Sequence, residues 1–171
     1  MRRVTSKYAR VRAASQDDES ALRALDAAAW TVAATFPSVL AAQGSMEFFG
    51  AGHPPDVHLV AELDGAVAGY VRLTPPTSLP ENGHVLQISG IAVAPAARGR
   101  GVAQVLLSAA EQRAGDVGAG KLSLRVLATN APARTLYERC GFVAEGVLRG
   151  EFRIDGVDVD DVLMARYLNG A

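Results

Sequence analysis

The spacing of hydrophobic positions changes along the chain several times, and each change marks a new element. Tyr8 to Ala14 has the pattern of a strand, and Ser15 with Asp18 three positions on is a helix-start signature with an acidic first turn. The predicted helix buries a stripe of Leu22, Leu25 and Ala29, and a second helical stretch runs from about Val39 to Phe49 and ends at Gly50. Ala51 to Pro55 is a loop. The period then becomes that of strands: Val57 to Leu63, the turn Asp64-Gly65, and Ala66 to Leu73 form a β-hairpin.

Pro75, Pro76, Pro80, Asn82 and Gly83 mark an irregular loop, and His84 to Val93 is a further strand that stops at Pro95. After a connection over Ala94 to Gly99 the spacing is helical from Val102, with Val102, Val105, Leu106 and Ala109 on one face, until the glycines of Gly115 to Gly120. Lys121 to Val126 alternates as a strand. Asn130 caps another helix that tolerates Pro132 in its first turn and aligns Ala133, Leu136, Tyr137 and Cys140 before Gly141. A final hairpin, Phe142 to Ile154 and Val157 to Tyr167 about Asp155-Gly156, completes the order strand, two helices, three strands, helix, strand, helix, two strands.

Composition narrows what such an arrangement is for. The 171 residues fit one domain spanning 1–171, and 49% apolar with 20% charged residues is the balance of a folded globular chain. Net charge is −1 with the basic residues scattered, so no field is present to hold nucleic acid, and small molecules are the expected partners. The single cysteine, Cys140, excludes an intrachain disulfide, and no Cys/His spacing suggests a metal site. No apolar core follows the basic N-terminus, and no apolar run is long enough to span a bilayer, so a cytoplasmic location without membrane attachment is expected.

The chemistry concentrates in Ile91-Ala92-Val93-Ala94-Pro95-Ala96-Ala97-Arg98-Gly99-Arg100-Gly101-Val102-Ala103, a strand feeding a Gly-rich turn that opens a helix. Helix N-termini present N–H groups without intrahelical partners together with the positive end of the dipole, so this turn suits a phosphate or pyrophosphate. Arg98 and Arg100 add charge. An NTPase loop needs Lys and then Ser or Thr where Val102 and Ala103 stand, and a dinucleotide fingerprint needs a third glycine further on. A lone Arg-Gly-Arg-Gly inside a folded pattern is a poor RNA-binding element.

Arg98, Gly101 and Ala103 fit the signature of the GNAT superfamily of N-acetyltransferases, which the chain resembles from about Tyr8 to Leu168. Asn130, Ala133, Leu136, Tyr137, Glu138 and Gly141-Phe142 resemble that family's second cofactor-contacting segment, and Asp161-Val162-Leu163-Met164 resembles its last strand. The resemblance implies an α/β (α+β) acyl-CoA N-acyltransferase fold, a mixed central sheet of about six to seven strands flanked by about four helices. It implies acetyl-CoA as co-substrate without a metal, and direct transfer of the acetyl group to a primary amine. Backbone groups of Ile91, Ala92 and Val93 would bond the pantetheine arm at a splayed strand. Arg98, Gly99, Arg100, Gly101, Val102 and Ala103 would hold the pyrophosphate, Asn130 would contact the cofactor, and Tyr137 would lie near its sulfur as the catalytic acid.

Transfer needs a neutral amine, and amines have pKa values of about 8 to 10.4, so a base or water chain must take a proton. Many family members carry a glutamate on the strand before the phosphate turn, whereas Gln87 and Ser89 stand there here. Neither is a base at neutral pH. His84, Glu81, Asp160 and Asp161 could act through water. A catalytically weak acyl-CoA-binding sensor or scaffold of the same fold is the alternative that this gap leaves open.

Other residues read more simply. His58 is structural, and Cys140 is a small buried apolar residue. Glu151, Asp155, Asp158, Asp160 and Asp161 could attract a cationic acceptor, and the Pro75 to Gly83 loop could border its pocket. Trp30, Phe36, Phe48 and Phe49 are core residues of which one or two could line that pocket. The acceptor, a small molecule or a peptide, is open, and the edge of the last hairpin could pair with a second copy as a homodimer. Acetyl-CoA or CoA at about 100 times its dissociation constant is expected to stabilise the protein by about 2.7 kcal/mol, with ATP and NAD giving no shift, as read by thermal unfolding.

Overall fold

The computed structural model describes residues 9–31, 35–42 and 46–168. Their strands form one seven-stranded sheet in the order β1-β2-β3-β4-β5-β7-β6. In chain order these are β1 (Arg10–Ala13), β2 (His58–Leu63), β3 (Ala66–Thr74), β4 (Val85–Val93), β5 (Lys121–Leu127), β6 (Val143–Ile154) and β7 (Val157–Tyr167). The α-helices are α1 (Glu19–Ala29), α2 (Pro37–Ala42), α3 (Val102–Asp116) and α4 (Ala131–Arg139). Every neighbouring pair is antiparallel except β4 and β5, which α3 joins as a crossover. Among the described residues no helix is long and apolar enough to cross a membrane.

Strand alternation divides the core into two layers. Val60, Tyr70 and Ala92 face α1, whose Leu22, Leu25 and Ala29 are buried against them with Phe48 and Phe49. Their neighbours Ala61 and Val71 face the opposite way and pack with Leu106, Leu107, Ala110 and Ala114 of α3 and with Tyr137 of α4. The start of α1 follows the sequence signal: Asp18 accepts the Ser15 backbone N–H at 2.8 Å and is gripped by Arg12 at 2.7 and 2.8 Å.

Three expectations shift. The expected helix over Val39 to Phe49 is only α2, and residues 43–45, like Tyr8, lie outside the described residues. Phe48 and Phe49 are not helical, because the Glu19 carboxylate takes their backbone N–H groups at 2.6 and 2.9 Å. Val57 belongs to a 3₁₀ turn, Pro55–Val57, and β2 begins at His58. The buried stripe of α3 is rotated: Val102 and Leu106 hold as read, but Leu107, Ala110 and Ala114 join them while Val105 is 36% exposed.

Gly69 sets how closely this helix approaches the sheet. A Cβ there would stand 2.8 Å from the Ala92 carbonyl oxygen, 3.0 Å from Leu106 Cδ1 and 3.1 Å from Val102 Cγ1. Its bare backbone lets the first turn of α3 lie directly on β3. The Gly69→Ala variant is expected to lose about 1 to 3 kcal/mol, since the backbone oxygen cannot give way, and denaturant unfolding would read the loss.

Candidate active site

β4 and β5 pair only from Val85↔Lys121 to Ile88↔Leu124, and then part. The cause is local to β4. Opposite β3, Arg72 pairs with Gly90 and Leu73 with Ile88, so Ser89 is an inserted residue that bends the strand. Each strand keeps its outer partner: β4 follows β3 as far as Val93↔Gly69, and β5 follows β7 as far as Leu127↔Asp161. The Ala94 N–H donates to Ala68 O at 2.9 Å, toward β3. By strand alternation the polar backbone groups of Ile91 and Val93 therefore point into the gap.

The gap opens into a cleft of about 900 Å³. One end is the turn before α3, where Gly99 (φ 72°) and the helix N-cap Gly101 (φ 78°) are both left-handed, a conformation that a side chain would strain. The first amide to bond within the helix is that of Val105, to Gly101 O at 3.1 Å. The amides of Val102, Ala103 and Gln104, all three residues lining the cleft, thus have no acceptor within the helix.

The two arginines of this turn have different surroundings. Arg98 lines the cleft, and its Nη2 donates to the Ala29 carbonyl at 2.5 Å, a cation at the negative end of α1. Arg100 differs from the expected phosphate-facing pair: its guanidinium lies 2.9 Å from Asp64 in the β2–β3 turn, and the residue is not among those lining the cleft. Asn130 and Tyr137 flank the cleft from α4. Asn130 caps the helix as read, its Oδ1 accepting the Ala133 N–H at 3.3 Å. Tyr137 is 7% exposed, and burial pushes its phenol up to about 12. Among the described residues none hydrogen-bonds its hydroxyl.

Of the four side chains considered as bases, only Asp161 lines the cleft. It is buried and accepts from Arg125 Nε at 2.6 Å, with Nη2 at 2.5 Å. Asp160 Oδ1 takes the Gly150 N–H at 2.8 Å. His84 and Glu81 stand before β4 begins, at its paired end rather than its open one, and no residue of the Pro75 to Gly83 loop borders the cleft. Ser89 lines it and Gln87 does not.

The aromatic residues divide by place. Trp30 and Phe36 line the cleft, whereas Phe48 and Phe49 lie in the core under α1. Asp26 Oδ1 accepts the Trp30 indole N–H at 2.6 Å and the Tyr70 hydroxyl at 2.5 Å, which fixes the indole from behind. Phe152 and Arg125, absent from the sequence reading, also line the cleft. Their signal is three-dimensional, since neither belongs to a local motif. Cys140 lies outside the cleft, and burial raises its thiol.

Comparison with known proteins agrees with this geometry. The profile of the Acetyltransferase (GNAT) family matches residues 20–142. An uncharacterized N-acetyltransferase of Bacillus subtilis, YhfO, is 37% identical over 86 residues, covering 50% of this chain and 58% of that protein. Matches to other curated relatives cover 63% and 42% of their lengths, so the chain spans less than two thirds of each. The ribosomal-protein-alanine N-acetyltransferase from Brucella melitensis superposes with a TM-score of 0.71 at 27% identity, covering 93% of this chain and 99% of that one. The yncA protein of Salmonella typhimurium, solved with its cofactor acetyl-CoA, shares the fold with a TM-score of 0.74 at 20% identity and 96% coverage of both chains. The fold is that of an acyltransferase of the GNAT type. The chain belongs to the GNAT acetyltransferase family.

His58 behaves as a structural residue. Its Nδ1–H donates to Pro54 O and its Nε2 accepts from Arg72 Nε, each at 2.9 Å, so the neutral ring is satisfied. Burial draws its pKa down from 6.5 to about 4. Between those values the unfolded chain takes up a proton that the folded one refuses, so stability falls as pH falls. A loss on the order of 3 kcal/mol from pH 7 to pH 4 is expected from this group, and His58→Gln should remove most of that slope in denaturant titrations.

Proposed function

We propose that the protein transfers an acetyl group from acetyl-CoA to a primary amine in this cleft, in one direct step. The observation that carries the reading is one cleft with three separate features: backbone groups of Ile91 and Val93 turned into the gap, orphan amides at the start of α3, and an unbonded Tyr137 hydroxyl. These fit the parts of acetyl-CoA in turn. A pantetheine arm is a chain of amides that the open edge of β4 can pair with, and a pyrophosphate is an anion for the turn.

Ile91 and Val93 would hold the arm through their backbone, while Ala92, read with them from the sequence, turns its backbone to β3. The amides from Gly99 through Ala103 would hold the pyrophosphate, with Gly99 and Gly101 leaving the backbone bare and Arg98, whose own N–H donates to Pro95 O, supplying side-chain charge beside it. Arg100 contributes its amide, its side chain being engaged with Asp64. Asn130 would contact the cofactor from the cap of α4. Acetyl-CoA supplies an activated acyl group and a thiolate leaving group. Tyr137 Oη keeps its proton through the physiological range and can give it to that sulfur. Asp161, paired with Arg125, is the one carboxylate lining the cleft among the described residues, so the amine proton would leave through water along the cleft.

The test is CoA release from acetyl-CoA with a panel of amines, for the wild type and Tyr137→Phe. Release with the wild type and a 10- to 1,000-fold lower kcat in the variant, at unchanged acetyl-CoA affinity, is expected. A protein that binds acetyl-CoA and releases no CoA with any amine is a sensor or scaffold instead. Unchanged kcat in the variant removes the acid role from Tyr137.

A further inference from the structure

The end of the cleft away from the phosphate turn is built by residues that neither cofactor binding nor Tyr137 accounts for. Between the pairs Leu148↔Asp161 and Phe152↔Val159, β6 carries two more residues than β7. The strand bulges there, and the Gly150 N–H bonded to Asp160 at 2.8 Å secures the bulge. Beyond it Phe152 is half-buried, lines the cleft, and packs on Phe36 with ring centroids 4.6 Å apart and planes at 58°. Phe36 immediately precedes α2, so this pair of rings joins the segment after α1 to the last hairpin across the cleft.

Charge beside the rings is already paired. The Arg125 guanidinium lies 6.0 Å from the Phe152 centroid and is engaged by Asp161 at 2.5 Å and Glu151 at 3.4 Å. Of these two carboxylates only Asp161 lines the cleft, where it is paired with Arg125. The other arginines of the cleft, Arg98 and Arg139, come from the turn before α3 and from α4. An ammonium arriving here meets the faces of aromatic rings, which attract it. A carboxylate arriving here meets Asp161, whose arginine is already committed to it. A long polyamine brings charge but no apolar body to place between Phe36, Phe152 and Trp30.

We infer that the acceptor is a small amine with an aromatic or apolar body and no carboxylate, and that Phe152, presented by the β6 bulge, sets this selection. The inference rests on the acetyl-transfer reading and goes beyond it by naming the acceptor class. Three amines separate the terms: phenethylamine, phenylalanine, which adds a carboxylate to the same body, and spermidine, which removes the body. Acetyl-CoA affinity by calorimetry is measured alongside CoA release for the wild type, Phe152→Ala and Phe152→Leu.

The expected result is a kcat/KM for phenethylamine at least about tenfold above the other two. Phe152→Ala should lower it about tenfold through KM, Phe152→Leu should restore part of the loss, and acetyl-CoA affinity should be unchanged in both, which also reports that the variants fold. The inference is overturned, with the acetyl-CoA reading intact, if phenylalanine or spermidine is used as well as phenethylamine. It is equally overturned if none of the three releases CoA from an enzyme that binds acetyl-CoA, or if Phe152→Ala slows all three alike. Failure of the wild type to bind acetyl-CoA overturns the reading beneath it.

Discussion

Two adjacent parallel strands that stop bonding to each other are the constraint on which the rest of the molecule depends. Buried backbone amides and carbonyls are costly to leave unpaired, so a sheet opened at its centre must offer those groups to something else. Beyond Ile88 and Leu124 the sheet tolerates the opening because β3 and β7 continue to satisfy the outer sides of β4 and β5. What is left inward is a polar edge within largely apolar walls, a surface matched to a flexible chain of amides. The start of α3 stands at one end of that edge because α3 lies on Gly69, and α4 brings Tyr137 to its side.

The walls of the cleft are braced from more than one layer. Arg98 reaches from the phosphate turn to the last carbonyl of α1, and the next residue, Trp30, has its indole held by Asp26, which the Tyr70 hydroxyl of β3 also contacts. Burial and the adjacent Asp26 carboxylate push the Tyr70 phenol upward, so it serves as a donor throughout. The same face of the sheet carries His58 and Arg72, with Arg72 lying 5.7 Å over the Phe48 ring. Aromatic and charged groups here hold the α1 side of the fold while the opposite face is filled mainly by aliphatic side chains, with Tyr137 and Phe142 among them.

Much of this was legible in the chain. Asp64-Gly65 and Asp155-Gly156 fixed two hairpins by turn chemistry, and the glycines ahead of Val102 marked the turn that opens α3, because both depend on residues adjacent in sequence. The split between β4 and β5 was expected only from family resemblance, since no local pattern states which strand will lose a neighbour. The Phe48 region was misread as helix because its competing acceptor, Glu19, lies about thirty positions away. Arg100 was read from charge alone, and its partner Asp64 became visible only once the hairpin was folded against the turn. Phe152 was missed because a two-residue bulge, invisible in hydrophobic periodicity, re-aims it.

The inserted Ser89 has a meaning apart from its side chain. Its neighbours pair with β3 on either side of it, so the bend of β4 depends on there being one residue too many and hardly at all on which residue that is. The mouth of the site is thus recorded in the chain as a number, an offset of one position between two ladders. Point substitutions leave such a record untouched, and only an insertion or a deletion can rewrite it.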